Sequence, residues 1–344
     1  MAATDAILAL FAALPLASLL FLLLAYRAHQ KKPLARFVVL GNVLVFVLLI
    51  GALLFSGEFY YRFAYDKTDG LGVTLTSKRW MQRHYHRNNF DVRDNIDLAM
   101  EIAPGKPRIS IVGDSFTAGY GVPDVENRFV NILRKTNPRW EVHGIAWGGA
   151  NTGTLTQRLR QLHSDGYEFD QVLYVYMIND LDDLVGELRA AIEEVRVEEP
   201  GFLSRHSYLL NTLFYRFKVA YNEDMMDYFG MLEEAYTLDL WQLQEARLED
   251  LTTFVRESGG ALLVVTFPFF ETLDSARYGS IHRKLSEHWE TAGVPHLDLR
   301  SVFAGLQARE LTVGRYDTHP NEYAHRLAAE AMQAFLRQQA SSDF

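Results

Sequence analysis

The stretch Arg108-Ile109-Ser110-Ile111-Val112-Gly113-Asp114-Ser115-Phe116-Thr117-Ala118-Gly119 is a short β-branched run that stops at a glycine and gives way to small polar residues. A run of that length bounded by turn residues reads as a buried strand, and it leaves Ser115 just beyond the strand's carboxyl end. Ligands of open α/β sheets bind at that edge. Outward from it the same pattern recurs, with strands expected at 108–112, 140–144, 171–176, 261–267 and about 294–298. Amphipathic helices are expected over 127–135, 152–163, 238–257, 275–292 and 321–338, with Gly259-Gly260 ending the third. Short apolar runs alternating with helices predict an α/β fold: a three-layer αβα sandwich around about five parallel strands.

Three more segments reach the same sheet edge. Asp317-Thr318-His319-Pro320-Asn321 follows the last expected strand. In an extended segment residues two apart project to one side, so Asp317 can hold one imidazole nitrogen of His319 while the other faces Ser115. A serine needs such a base, and the base needs an orienting group, before it is a useful nucleophile. Trp147-Gly148-Gly149-Ala150-Asn151 follows the second strand and can bring the Gly149 NH close to a substrate; Met177-Ile178-Asn179-Asp180 follows the third and offers the Asn179 amide. Both are donors of the kind a developing oxyanion requires. Each segment taken singly is an ordinary turn; their order and placement together point to acyl chemistry on Ser115.

These four blocks, Gly113-Asp114-Ser115, Gly149, Asn179 and Asp317 to His319, resemble those of the SGNH, or GDSL, hydrolase superfamily over about residues 106–340. The resemblance implies a flavodoxin-like sheet and an acyl-serine intermediate on Ser115. It further implies His319 as general base with Asp317 beside it, an oxyanion hole from the NH groups of Ser115 and Gly149 and the Asn179 side chain, and no metal or organic cofactor. An α/β-hydrolase fits less well because Ser115 lacks the G-x-S-x-G elbow, and a P-loop is excluded because no glycine-rich stretch ends in Gly-Lys-Ser/Thr. Two departures stand out: Met177 occupies the position usually held by glycine in G-x-N-D, and Asp317 and His319 are one residue apart where D-x-x-H is common. The D-x-H spacing looks like that of membrane-associated relatives that move acetyl groups onto exported polysaccharides, such as the alginate O-acetyltransferase family.

The amino-terminal end is of a different character. Residues 6–26 and 37–55 contain no charged side chain, and as helices they reach roughly 31 and 28 Å, close to the ~30 Å hydrocarbon thickness. A two-helix transmembrane hairpin over residues 1–56 is expected. A signal peptide is disfavoured because Asp5 is the only charge before Arg27. Arg27, Lys31, Lys32 and Arg36 lie between the runs, so that loop is expected to be cytoplasmic, with the N-terminus and everything after Phe55 outside. A two-pass protein of the cell (inner) membrane with a periplasmic or extracellular catalytic domain is therefore expected. Phe59, Tyr60, Tyr61, Phe63 and Tyr65 stand where an aromatic belt would sit.

The chain of 344 residues carries a net charge of −9; residues 1–56 hold +3, leaving −12 on the exported part. Nucleic-acid binding through phosphates is therefore excluded. Zero cysteines remove disulfides, thiolate metal sites and a cysteine nucleophile. Residues 57–105 read as a juxtamembrane connector whose basic stretch, Lys78, Arg79, Arg83 and Arg87, is a solvated surface or a contact for headgroups or an anionic glycan. His84 and His86 form an H-x-H pair without a carboxylate cluster nearby and carry no metal expectation. Residues 106–344 form the expected catalytic domain. Within it, 182–237 exceeds what a minimal fold needs and reads as an insertion, either a lid or helices packed by their aromatic faces.

The expected function is a membrane-anchored extracytoplasmic serine esterase or acyltransferase acting on O-acyl groups, acetyl foremost, of an exported or cell-surface glycan. Alternatives are a lipid ester hydrolase and a non-catalytic scaffold of a polysaccharide assembly complex. A multispan acyl-exporting membrane protein is a partner by analogy only.

Overall fold

The computed structural model describes residues 2–32, 35–237 and 239–342. The chain forms two compact units: Met1–Trp80 with Glu194–Tyr221, and Met81–Glu193 with Asn222–Phe344. The segment read from sequence as one insertion is thus divided between them.

The larger unit is built on five strands, β1 (Arg108–Gly113), β2 (Glu141–Ala146), β3 (Gln171–Met177), β4 (Ala261–Phe267) and β5 (His296–Asp298). They lie in the order β2-β1-β3-β4-β5 and every pair is parallel. Every residue of β1 is buried, the polar Arg108 and Ser110 included, because both faces of a parallel sheet are covered. Helix Phe129–Thr136 packs beside Glu322–Ser342, and Thr152–Ser164 beside Leu240–Glu257. The chain moves one way from β1 to β2 and the other way from β2 onward, so right-handed crossovers put the helix after β1 on the face opposite those after β2 and β3. The order reverses between β1 and β3, opening a crevice beyond their carboxyl ends. The register pairs Gly113 with Ala146 and Met177 with Phe267, so β1 ends level with β2 and β3 with β4.

One local reading is corrected. Asp317 to His319, taken from sequence as an extended loop, belongs to a strand, β7 (Asp317–Pro320), paired antiparallel with β6 (Thr312–Gly314). A hairpin this short has too little alternation to register as a strand. The expected helix start at Leu238 lies outside the described residues, and the helix is seen over Leu240–Glu257.

In the smaller unit, helices Ala3–Lys31 and Ala35–Ala64 are long and apolar enough to cross a membrane. Both outlast the apolar runs, so Arg27 and Lys31 sit in the last turns of the first helix and Arg36 at the start of the second rather than in a ten-residue loop. The two pack along each other closely at Gly51, where a Cβ would lie 3.0 Å from the Pro15 ring. The second helix ends in a π-helical turn, Tyr60–Ala64. Just before that turn, buried Glu58 accepts hydrogen bonds from Ser207 Oγ (2.6 Å), Tyr208 N (3.0 Å) and Leu209 N (2.9 Å). The Tyr208 and Leu209 NH groups stand at the start of helix Tyr208–Tyr221, where backbone donors have no partner within the helix, so a residue 150 positions upstream caps it.

Candidate active site

β1 delivers the serine. At its last position a side chain is impossible, because a Cβ on Gly113 would lie 2.2 Å from Thr117 Oγ1 and 3.1 Å from the Val175 carbonyl. Asp114 follows as the cap of the one-turn helix Ser115–Ala118, its carboxylate accepting from Phe116 N at 2.9 Å. Gly119, at φ +68°, turns the chain out of that helix. Buried Arg93 fixes the turn from outside, donating to the carbonyls of Ala118, Gly119 and Val122. The rigid start of this helix is the mount on which Ser115 stands.

β7 delivers the partners. His319 Nε2 lies 2.8 Å from Ser115 Oγ, and His319 Nδ1 lies 2.6 Å from Asp317 Oδ1. Asp317 Oδ1 also accepts from the His319 backbone NH at 3.1 Å. Asp317 is buried, and as a carboxylate it can only accept; with the proton on Nδ1, Nε2 is left to accept from the serine hydroxyl. The one-residue separation of Asp317 and His319 works because both occupy one face of a strand. Two rings hold the imidazole plane, Phe116 at 5.1 Å and Tyr120 at 4.9 Å between centroids. Neither ring was anticipated from sequence, although both lie within five residues of Ser115.

The loop after β2 is tied to the end of β1 by Trp147 N donating to the Gly113 carbonyl at 3.2 Å. A Cβ built on Gly148 would come within 3.9 Å of Ser115 Cβ, so this loop lies against the serine. Gly149 is exposed there at φ +72°, a conformation L side chains rarely adopt. Asn151 then starts helix Thr152–Ser164 with a capping box to Thr154. After β3, Asn179 hydrogen-bonds the hydroxyl of Tyr228, and its buried Oδ1 has no hydrogen-bond partner among the described residues. Tyr228 comes from the helix Tyr228–Ala235 at the far end of the extra segment. Its contact with Asn179 has no local sequence signal, since the two are 49 positions apart.

Beneath these groups two carboxyls are buried. Burial, opposed by the hydrogen bond from the Phe116 NH, pushes Asp114 up to about 6. Burial first and the neighbouring Asp114 second push Asp180 well above the carboxylate range, against a hydrogen bond donated by Tyr174. From Tyr174 a chain of buried polar groups continues through Thr152 Oγ1 (2.9 Å) to Gln244 Nε2 (2.6 Å). It joins the loop after β3 to the first residue of the helix that follows the glycine loop. Among the described residues no group of three or more His, Cys, Asp or Glu side chains is arranged to hold a metal ion.

The arrangement brings a serine, an oriented imidazole and a buried carboxylate into one hydrogen-bonded line, which is the constellation of serine acyl transfer. Residues 111–327 match the model of the GDSL-like Lipase/Acylhydrolase family. A search of the curated proteins finds no match. Among solved structures, the chain is similar to an extracellular lipase from Streptomyces rimosus at 13% identity, covering 67% of this chain and 99% of that one with a TM-score of 0.43. It is similar to the psychrotrophic esterase EstA from Pseudoalteromonas sp. at 16% identity, covering 69% and 100% with a TM-score of 0.40. A two-domain esterase active on acetylated mannans matches at 17% identity over 81% of this chain and 56% of that one, TM-score 0.39. The family match spans well over half of the chain and takes in the Gly113-Asp114-Ser115 turn, the Asn179 loop and the Asp317–His319 strand: the chain belongs to the GDSL-like lipase/acylhydrolase family.

Proposed function

We propose that this protein is a membrane-anchored serine esterase or O-acyltransferase working outside the cytoplasm on O-acyl groups, acetyl foremost, of an exported or cell-surface glycan. The observation that carries the chemical part is the line Asp317–His319–Ser115, closed at 2.6 and 2.8 Å by residues 204 positions apart. In the proposed reaction His319 Nε2 takes the Ser115 proton as Oγ attacks the ester carbonyl. The oxyanion is met by the NH groups of Ser115 and Gly149 and by the Asn179 amide, and the Asp317 carboxylate stabilises the imidazolium. Collapse expels the alcohol, which takes its proton back from His319 and leaves an acyl-serine. Water or a sugar hydroxyl, deprotonated in turn by His319, then carries the acyl group away.

The two long apolar helices support placement at a membrane, with residues 1–56 as the anchor and 106–344 as the catalytic region, and the basic residues around their junction support a cytoplasmic turn. An exported polymer emerging at that surface is the substrate such an anchor favours, and the D-x-H spacing agrees with acetyl handling. The test is to incubate the full chain with an acetylated glycan, with and without a hydroxyl acceptor, and to follow free acetate and acetylated acceptor. Acetate release at full rate without acceptor contradicts transfer; preference for long-chain over acetyl esters contradicts the glycan assignment.

A further inference from the structure

Helix Phe202–His206 sits in the unit that contains the apolar hairpin, and it packs against the first hairpin helix. It presents Phe202 and Leu203 outward, 66% and 49% exposed, a large apolar display for one turn of helix. Its level along the hairpin is fixed by Ser207, the next residue, whose hydroxyl is bonded to Glu58 at 2.6 Å. Glu58 stands three residues past Phe55, the end of the uncharged run, which is about 4.5 Å along a helix. The first helix agrees with this level: Arg62 donates to the Thr4 carbonyl at 2.8 Å, whereas Gly51 lies against Pro15. Glu58 therefore falls between these two levels, near the outer end of the apolar band.

The following helix, Tyr208–Tyr221, leaves that level. Leu209 lies against Gly57, and Arg216 reaches the hydroxyls of Tyr61 (2.8 Å) and Tyr65 (3.1 Å). The helix thus climbs alongside the continuation of the second hairpin helix, away from the membrane. Phe217 and Tyr221, 57% and 77% exposed, ride at its far end. Two pairs of exposed apolar residues consequently stand at two different heights, and only the lower pair is level with the hydrocarbon boundary. The lower pair is followed by Arg205, ion-paired to Glu199, and by His206. Apolar side chains next to a cationic head suit the acyl–headgroup boundary.

We propose that Phe202 and Leu203 insert into the outer leaflet where the second apolar helix exits it, so that helix Phe202–His206 is a third, interfacial contact with the lipid surface. This rests on the hairpin crossing the membrane. The absence of cysteine makes the test clean, since a single introduced thiol is the only labelling site.

Full-length chains carrying Phe202→Cys, Leu203→Cys, Phe217→Cys, Tyr221→Cys, Leu20→Cys or Phe46→Cys are labelled with an environment-sensitive fluorophore and reconstituted singly into phosphatidylcholine nanodiscs. Quenching is read with nitroxide on the headgroup or near the end of the acyl chain. The expected result is blue-shifted emission at 202 and 203 quenched by the headgroup nitroxide, water-like emission at 217 and 221, and quenching at 20 and 46 by the deep nitroxide. Water-like emission at 202 and 203, with 20 and 46 still quenched, overturns the proposal alone. Equal lipid quenching at 202, 203, 217 and 221 overturns the assigned heights, and lack of quenching at 20 and 46 overturns the hairpin reading on which it rests. Where a label at 202 or 203 lowers the thermal midpoint, the neighbouring Ser204→Cys reports the same turn.

Discussion

Ser115 as an isolated alcohol is inert, and the base and carboxylate that would make it reactive stand about 200 residues away in sequence. If His319 and Asp317 act as proposed, Ser115→Ala lowers kcat by up to about a million-fold, measured on an activated acetyl ester. Asn179→Ala removes one oxyanion donor and costs roughly 10²–10³ in kcat with little change in KM. Activity falls on the acid side, because a protonated imidazole cannot accept the serine proton; a flat acid limb in kcat/KM contradicts the base assignment. Asp114 gives a separate stability prediction. Its carboxyl is raised by burial from the ordinary 3.8 to about 6, so the fold favours its neutral form. The stabilisation is complete below the ordinary range and is lost as pH rises through about 6. Asp114→Asn keeps an acceptor for Phe116 N without the charge, so its thermal midpoint gains on the parent as pH rises from about 5 to about 8; a gain that shrinks over that interval contradicts the sign.

At the scale of elements, the strands were legible where a short β-rich stretch is bounded by turn residues: β1 and β4 begin where the sequence places them, and β4 ends there too. The Gly113-Asp114-Ser115 turn was legible because glycine and a capping aspartate have local reasons to be there. Asp317 and His319 were legible as partners but not as a strand, since the β6–β7 hairpin is too short to carry a period. What sequence could not show are contacts whose two halves lie far apart: Arg93 on the serine turn, Tyr228 on Asn179, and Glu58 capping helix Tyr208–Tyr221. The last of these is testable on its own. Glu58→Ala deprives Ser207, Tyr208 and Leu209 of their shared acceptor, and leaving such donors unmet costs on the order of 1–3 kcal/mol each where water cannot replace it. Thermal unfolding in detergent shows the loss as a lowered midpoint, and limited proteolysis shows it as faster cleavage in 197–207. An unchanged midpoint and cleavage rate contradict the capping role.

At the scale of the molecule, the division into units changes how the protein should be handled. A sequence-based dissection would cut after the second apolar helix and express residues from 57 onward, on the view that the hairpin is only a tether. The structure places Glu194–Tyr221 in the same compact unit as the hairpin, with Leu209 against Gly57 and Glu58 bonded across to it. Cutting there removes the surface on which that segment folds, so the intact chain in detergent or nanodiscs is the right material. The net charge of +3 on residues 1–56 against −12 on the rest is the charge polarity expected of the proposed two-pass orientation. The most direct test of the central claim, an activated Ser115, is the intact mass of the full chain after exposure to a fluorophosphonate, alongside Ser115→Ala and His319→Ala. The account predicts one adduct on the parent, none on Ser115→Ala and strongly slowed labelling of His319→Ala. A folded parent that takes up no adduct, or a Ser115→Ala chain that still takes one up, would contradict it.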